Sequence, residues 1–139
     1  MNASFMIDKL NLIPHPEGGW YNETFLSEII INNRPVSSMI YFLLKAGEQS
    51  KWHRVTDADE IWIWNSGGVL DLEFKIGKET KNIFLGNQIE KGQDIQAVIP
   101  KGCWQRAKLF SNSWCLVTCI VTPAFSFEGF ELANKNSFN

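Results

Sequence analysis

The sequence predicts an all-β domain, a sandwich or barrel of short strands preceded by one short helix, and three observations carry that expectation. Helical periodicity occurs only near the start of the chain. Beyond it, short runs rich in β-branched and aromatic residues alternate with turn formers. Several of those runs, such as Ile61-Trp62-Ile63-Trp64, are apolar on both faces, as strands enclosed between layers are.

At the start, Ser4 is placed to cap a helix whose apolar positions Phe5, Met6, Leu10 and Ile13 recur at near-helical spacing, and Pro14 ends it. Nine strands are then expected. They are Gly19–Phe25, Val36–Leu44, Ser50–Val55, Glu60–Asn65, Val69–Lys75, Lys81–Leu85, Asp94–Ile99, Trp104–Phe110 and Cys115–Thr122. Turn formers such as Asn65-Ser-Gly-Gly, Lys91-Gly and Pro100-Lys-Gly separate them. No repeat or linker interrupts the pattern, so residues 1–139 read as one domain with its core over roughly 10–132 and a frayed polar tail, Asn134 to Asn139.

A chain of 139 residues buries about two-thirds of its unfolded surface. With 13 basic against 15 acidic side chains, nothing draws it to nucleic acid or to an anionic membrane. The longest apolar runs, such as Trp114 to Val121, fall far short of the ~20 residues of a spanning helix. Asp8 and Lys9 are out of place in a secretory signal. Of the three cysteines, Cys115 and Cys119 share a strand face but sit ~13 Å apart along it, too far for a disulfide. All three read as reduced core thiols, and a cytoplasmic location is expected.

Period-two alternation places candidate site residues. His53 shares a face with Val55, Glu60 with Trp62 and Trp64, and Gln105 with Ala107. If His53, Glu60 and Gln105 all point inward, they meet as one polar spot in an apolar cavity, the usual form of a small-molecule site. Gln96 alternates with Ile95 and Ala97 and is expected to point inward too, whereas Arg54 and Arg106 fall on the opposite face. His15 and Glu17 lie in Pro14-His-Pro-Glu-Gly-Gly19, a stretch stiffened by two prolines. Two readings stand there: a rigid strand lead-in with His15 at the surface, or a rim that turns Glu17 toward His53.

The same residues carry a resemblance. Gly47-x5-His53-x-Val55-x4-Glu60-x6-Gly67 is similar to the first cupin motif, Gly-x5-His-x-His-x3-4-Glu-x6-Gly. Pro100-x-Gly102-x2-Gln105 is similar to the second, Pro-x-Gly-x2-His. The opening stretch at Pro14 and the ending Pro123-Ala-Phe-Ser-Phe-Glu-Gly-Phe130 resemble one cupin family of unassigned function, with Ala124 in place of a glycine. The resemblance implies a double-stranded β-helix, or jelly-roll barrel, commonly a homodimer. It also implies metal-ligand positions at 53, 55, 60 and 105. Valine has no donor atom and an amide is a poor ligand. No cofactor is therefore expected, and a divalent metal would have only His53 and Glu60 to hold it.

The function these residues suggest is the binding of a small polar ring compound, such as a sugar or nucleobase derivative, in an aromatic-lined cavity. By analogy with metal-independent cupins, the chemistry would be sugar isomerisation or epimerisation. His53 would be the acid/base, paired with Glu60. Glu17, Trp62, Gln96 and Gln105 would bind the ligand. A non-catalytic binding or sensor module, and a metal-dependent enzyme with an incomplete ligand set, are the alternatives.

Overall fold

A computed structural model describes residues 1–109 and 111–138. The opening helix, α1, spans Ala3–Lys9. Its cap is Asn2, whose side-chain oxygen accepts the Phe5 N–H at 2.9 Å, and not Ser4, which lies inside the first turn. Its inward stripe is Met6, buried, with Ala3, Ile7 and Leu10 half-buried beside it, packed with Leu12, Leu43 and Leu116. Phe5 and Ile13, expected on that stripe, are exposed.

In chain order the strands are β1 (Ile13–Pro14), β2 (Trp20–Leu26), β3 (Ile30–Ile31), β4 (Arg34–Pro35), β5 (Ser38–Leu44), β6 (His53–Val55) and β7 (Asp59–Gly67). There follow β8 (Leu70–Ile76), β9 (Glu79–Leu85), β10 (Gln96–Ile99), β11 (Gln105–Leu109), β12 (Cys115–Thr122) and β13 (Phe130–Leu132). All nine expected strands are present, and the bounds of Cys115–Thr122 match. Phe110, the expected end of β11, lies outside the described residues.

Four short strands went unforeseen. In β3–β4, Asn32 and Asn33 both adopt positive φ (53° and 64°), the two-residue hairpin turn that asparagine tolerates. The other two, β1 and β13, are edge strands too short to show a period. Ser50–Val55 shrinks to His53–Val55 because the groups that would extend it are engaged elsewhere. The Lys51 N–H donates to the Glu17 carbonyl at 2.6 Å, and the Lys51 carbonyl meets the His53 ring at 2.7 Å. The tail is not frayed as far as it is described: Phe138 packs edge-on against Trp52 and Trp104, with centroids 5.6 and 5.5 Å away. Asn139 lies outside the described residues.

Two antiparallel sheets form the body, in the orders β1-β2-β5-β12-β7-β10 and β13-β6-β11-β8-β9. Their inner faces share a core of Phe42, Leu44, Trp62, Leu72, Ile99 and Val117, among others, in the jelly-roll arrangement of a double-stranded β-helix. Cys115 and Cys119 are buried in that core and Cys103 is half-buried, all three as free thiols. Arg54 and Arg106 point outward, paired with Glu131 and Glu73 and lying over the Trp104 and Trp52 rings. Among the described residues, no helix is long and apolar enough to cross a membrane.

The glycine pair after Glu17 sets the approach of the first loop. Gly18 and Gly19 both have positive φ (103° and 76°). A Cβ on Gly19 would stand 2.7 Å from the Phe42 ring and 2.9 Å from the Leu43 carbonyl. Gly77 also has positive φ (60°), but its surroundings are open. Gly77→Ala is therefore expected to cost about 1–2 kcal/mol, the conformational penalty alone. Gly19→Ala is expected to cost more, because core atoms must also move. Thermal unfolding of the two variants measures the difference, and equal losses would show that the close approach carries no strain.

Candidate functional site

Four buried polar side chains meet between the sheets. His53 (2% exposed) and Gln105 (1%) sit opposite each other on β6 and β11. Glu60 (8%) faces them from β7 in the other sheet, and Glu17 (6%) enters from the loop ahead of β2. His53, Glu60 and Gln105 thus converge as the alternation predicts. Of the two readings of the opening stretch, the structure takes the second: Glu17 Oε2 lies 2.6 Å from His53 Nε2.

The loop is built to put Glu17 there. His15 N–H donates to the Gly19 carbonyl at 3.0 Å, Gly18 N–H donates to the His15 carbonyl at 2.9 Å, and Glu17 N–H donates to His15 Nδ1 at 3.0 Å. The His15 side chain is buried too, edge-on to Tyr21 at 4.6 Å and to Phe130 at 5.8 Å, rather than at the surface. Burial, opposed by the Glu17 charge and aided by that of His53, lowers its pKa below 6.5, so the ring is neutral at pH 7.

The His53 partners fix its protonation. Nδ1 lies 2.7 Å from the Lys51 carbonyl, which can only accept, so Nδ1 carries hydrogen. Nε2 faces the Glu17 carboxylate, and an ionised carboxylate also only accepts. With the His53 pKa raised and that of Glu17 lowered, the pair is an imidazolium and a carboxylate at pH 7. Burial opposes charge on His53, but the charge and hydrogen bond of Glu17, then Glu60 and the Lys51 carbonyl, outweigh it and raise the pKa to about 9. Burial likewise opposes ionised Glu17, yet the charge and hydrogen bond of His53, with His15, leave its pKa lowered.

Glu60 is not the partner of His53. Its Oε1 accepts from Gln105 Nε2 at 2.7 Å, and the Cys119 thiol hydrogen-bonds it from β12. Burial and the negative charge of Glu17 push its pKa up, against the His53 charge and those two hydrogen bonds, to about 7. The same burial and the carboxylates of Glu60 and Glu17 drive the Cys119 thiol well above 9. Period two places Cys119 on the inner face, where it reads as an ordinary core thiol. Nothing in the sequence signals the carboxyl it touches.

Glu60 and Cys119 also line a cavity of ≈ 260 Å³. Tyr21 and Glu23 of β2 form one side, Ser38 and Ile40 of β5 another, and Phe125 and Phe127 of the closing segment cover it. Trp62 does not wall this space. It is fully buried, edge-on to Phe42 at 5.9 Å, and its indole N–H donates to Gln105 Oε1 at 3.0 Å. Both ends of the Gln105 amide are thus engaged, so Gln105 holds Glu60 rather than a ligand. Gln96 is exposed: on β10 it is Ala97 and Ile99 that turn inward, so Gln96 stands outside the cluster.

The donor atoms do not suit a divalent metal. Val55 offers none, the amide of Gln105 is taken, and both ring nitrogens of His53 are engaged. Among the described residues, no group of three or more His, Cys, Asp or Glu is arranged to hold an ion.

A family model described as Cupin superfamily (DUF985) matches residues 4–133. The chain is similar to a protein of Shewanella oneidensis solved by X-ray crystallography, at 36% identity and TM-score 0.92 over 96% of this chain and 85% of that one. It is similar to a hypothetical protein from Leishmania major at 28% identity and TM-score 0.90, over 96% of this chain and 88% of that one. A protein with a double-stranded β-helix domain from Klebsiella pneumoniae shares the fold at 16% identity and TM-score 0.61, over 93% of this chain and 95% of that one. No curated protein matches the sequence.

The two histidines should titrate far apart, which NMR of their ring protons can resolve: His53 near pH 9 and His15 below 6.5. In Glu17→Gln the His53 midpoint is expected to fall toward or below 6.5. A midpoint unmoved from 9 would mean that another group holds the proton. Removing one partner of a buried pair should also cost about 3–5 kcal/mol. The His53 pKa is raised on folding, so its contribution is full below pH 6.5 and lost as pH rises through about 9. The Glu17 pKa is lowered, so its contribution is present above pH 4.5 and lost as pH falls through its folded value.

Proposed function

Because the chain belongs to the Cupin superfamily (DUF985) family, we propose that it binds a small polar ring compound in the cavity above Glu60 and catalyses a proton-transfer isomerisation there. The observation that carries this reading is the position of Glu60: a buried carboxyl that opens onto the cavity and is held by Gln105 and Cys119. A pKa of about 7 suits a group that must both take and return a proton near neutral pH. His53 has no free ring nitrogen and does not line the cavity. In this reading the acid/base is Glu60 in place of His53, and the Glu17–His53 pair sets the field around it. Of the two carboxyls that line the cavity Glu60 is the buried one and Glu23 is exposed, and one enclosed group suits a proton moved between neighbouring carbons on one face. Epimerisation through a carbanion needs a second group on the opposite face.

Incubating ring sugars in deuterated water and following exchange of carbon-bound hydrogen by NMR tests this. Exchange is expected with the wild type, rising through pH 7 as Glu60 ionises. In Glu60→Gln it should drop by about 10²–10⁴-fold. Binding without exchange in any sugar tried would favour the non-catalytic module over the enzyme.

We also propose that the chain pairs with a second copy. Met39, Tyr41, Ile61, Ile63, Thr118 and Ile120 share the outer face of the six-stranded sheet, adjacent by register and without a charge among them. The five apolar side chains there are only half-buried in the single chain. Light scattering is expected to give twice the mass of one chain, and Ile120→Lys to halve it. A wild-type mass of one chain would dispose of the pairing.

A further inference from the structure

Every wall of the cavity above Glu60 lacks a cation. Glu60 lies at its floor and Glu23 at its exposed rim, and among the described residues neither lysine nor arginine lines it. The one positive group near the floor, His53, is already bound to Glu17. Arg34 flanks the neighbouring groove, which shares Glu23 and Phe125 with the cavity. Its guanidinium is held by Asp57 at 2.9 Å and by the Ala124 carbonyl. An anionic ligand would meet two carboxyls and no counter-charge. An anionic sugar, such as a sugar nucleotide or a sugar acid, is poorly suited to such a site.

The remaining walls favour the opposite sign. Tyr21, Phe125 and Phe127 present aromatic rings, and Phe125 and Phe127 stand edge-on to each other at 4.9 Å. Aromatic faces attract cations, most strongly where water is excluded. The volume of ≈ 260 Å³ is below the usual range for drug-sized ligands and leaves room for about a single ring.

We infer that the ligand of this cavity is a small ring compound bearing a protonated amine, its ammonium directed at Glu60 and its ring against Tyr21, Phe125 and Phe127. This rests on the reading of the cavity as the ligand site and not on the isomerisation, since a Glu60 that holds an ammonium is an anchor rather than a base for carbon-bound hydrogen, and it narrows the ligand class to amino-substituted rings. The ammonium lies where Glu60 accepts its hydrogen bond, with Glu23 at the rim drawing cations in.

Three probes with one ring and different charge decide the matter: benzylamine, benzyl alcohol and benzoate, titrated calorimetrically into the intact protein at about pH 8. Benzylamine is expected to bind and benzoate not to. Glu60→Gln should weaken benzylamine about tenfold or more, and Glu23→Gln by a smaller factor. Glu23 is exposed, so the second variant keeps the test valid if the first fails to fold. Benzoate or benzyl alcohol binding as tightly as benzylamine overturns the charge inference while leaving the cavity as a ligand site. Benzylamine affinity unchanged in both variants overturns the placement. If none of the three binds the wild type, both the inference and the cavity reading fall.

Discussion

The buried ion pair between Glu17 and His53 is the interaction on which the interior of this protein depends. At 2.6 Å and almost wholly enclosed, neither member is tolerable there alone. Its geometry recruits the backbone around it. The Lys51 carbonyl takes the second ring hydrogen and the Lys51 N–H goes to the Glu17 carbonyl, so one residue links the loop to the strand. That use of Lys51 is what shortens β6 to three residues. The opening loop, the strand and the pair are therefore one mechanical unit.

The same pair governs the charge of its neighbour. Glu60 feels the negative Glu17 and the positive His53 together, and burial adds to the first. The balance leaves a carboxyl near neutrality in its titration at a place where a fully charged group would be costly. Gln105 is what keeps that carboxyl oriented, and Trp62 in turn keeps Gln105 oriented. In a typical cupin these positions would hold a metal. Here a chain of hydrogen bonds runs across the two sheets at these positions, with a tryptophan, an amide, an acid and a thiol in contact.

Much of this was legible in the sequence. Alternation placed His53, Glu60 and Gln105 on inner faces, because a side chain in a half-enclosed strand has only two directions available. It placed Arg54 and Arg106 outside for the same reason, and the run of apolar and β-branched residues in β12 set its bounds. Where alternation was weak the reading slipped. Gln96 lies on a short edge strand whose exposed and buried positions both carry apolar residues, so the pattern did not reveal its phase. The helix phase was misjudged because Phe5, a large hydrophobe, is left in solvent while Ala3 faces the core.

What the sequence by itself determined was the fold, the family resemblance and the inward facing of His53, Glu60 and Gln105, since periodicity and turn chemistry are local properties. Which of those residues touch was decided only by the tertiary structure. Glu17 is 36 positions before His53 in the chain, and Cys119 is 59 after Glu60, by subtraction of their numbers. Nothing local relates such residues. Their pairing follows from a loop bent through two glycines and from two sheets closing face to face. The partner of His53, the charge of Glu60 and the boundary of the cavity are consequences of that closure. The stretch Pro14 to Gly19 shows the division well: its stiffness is written in its prolines, but its purpose appears only when the fold carries Glu17 to the imidazole.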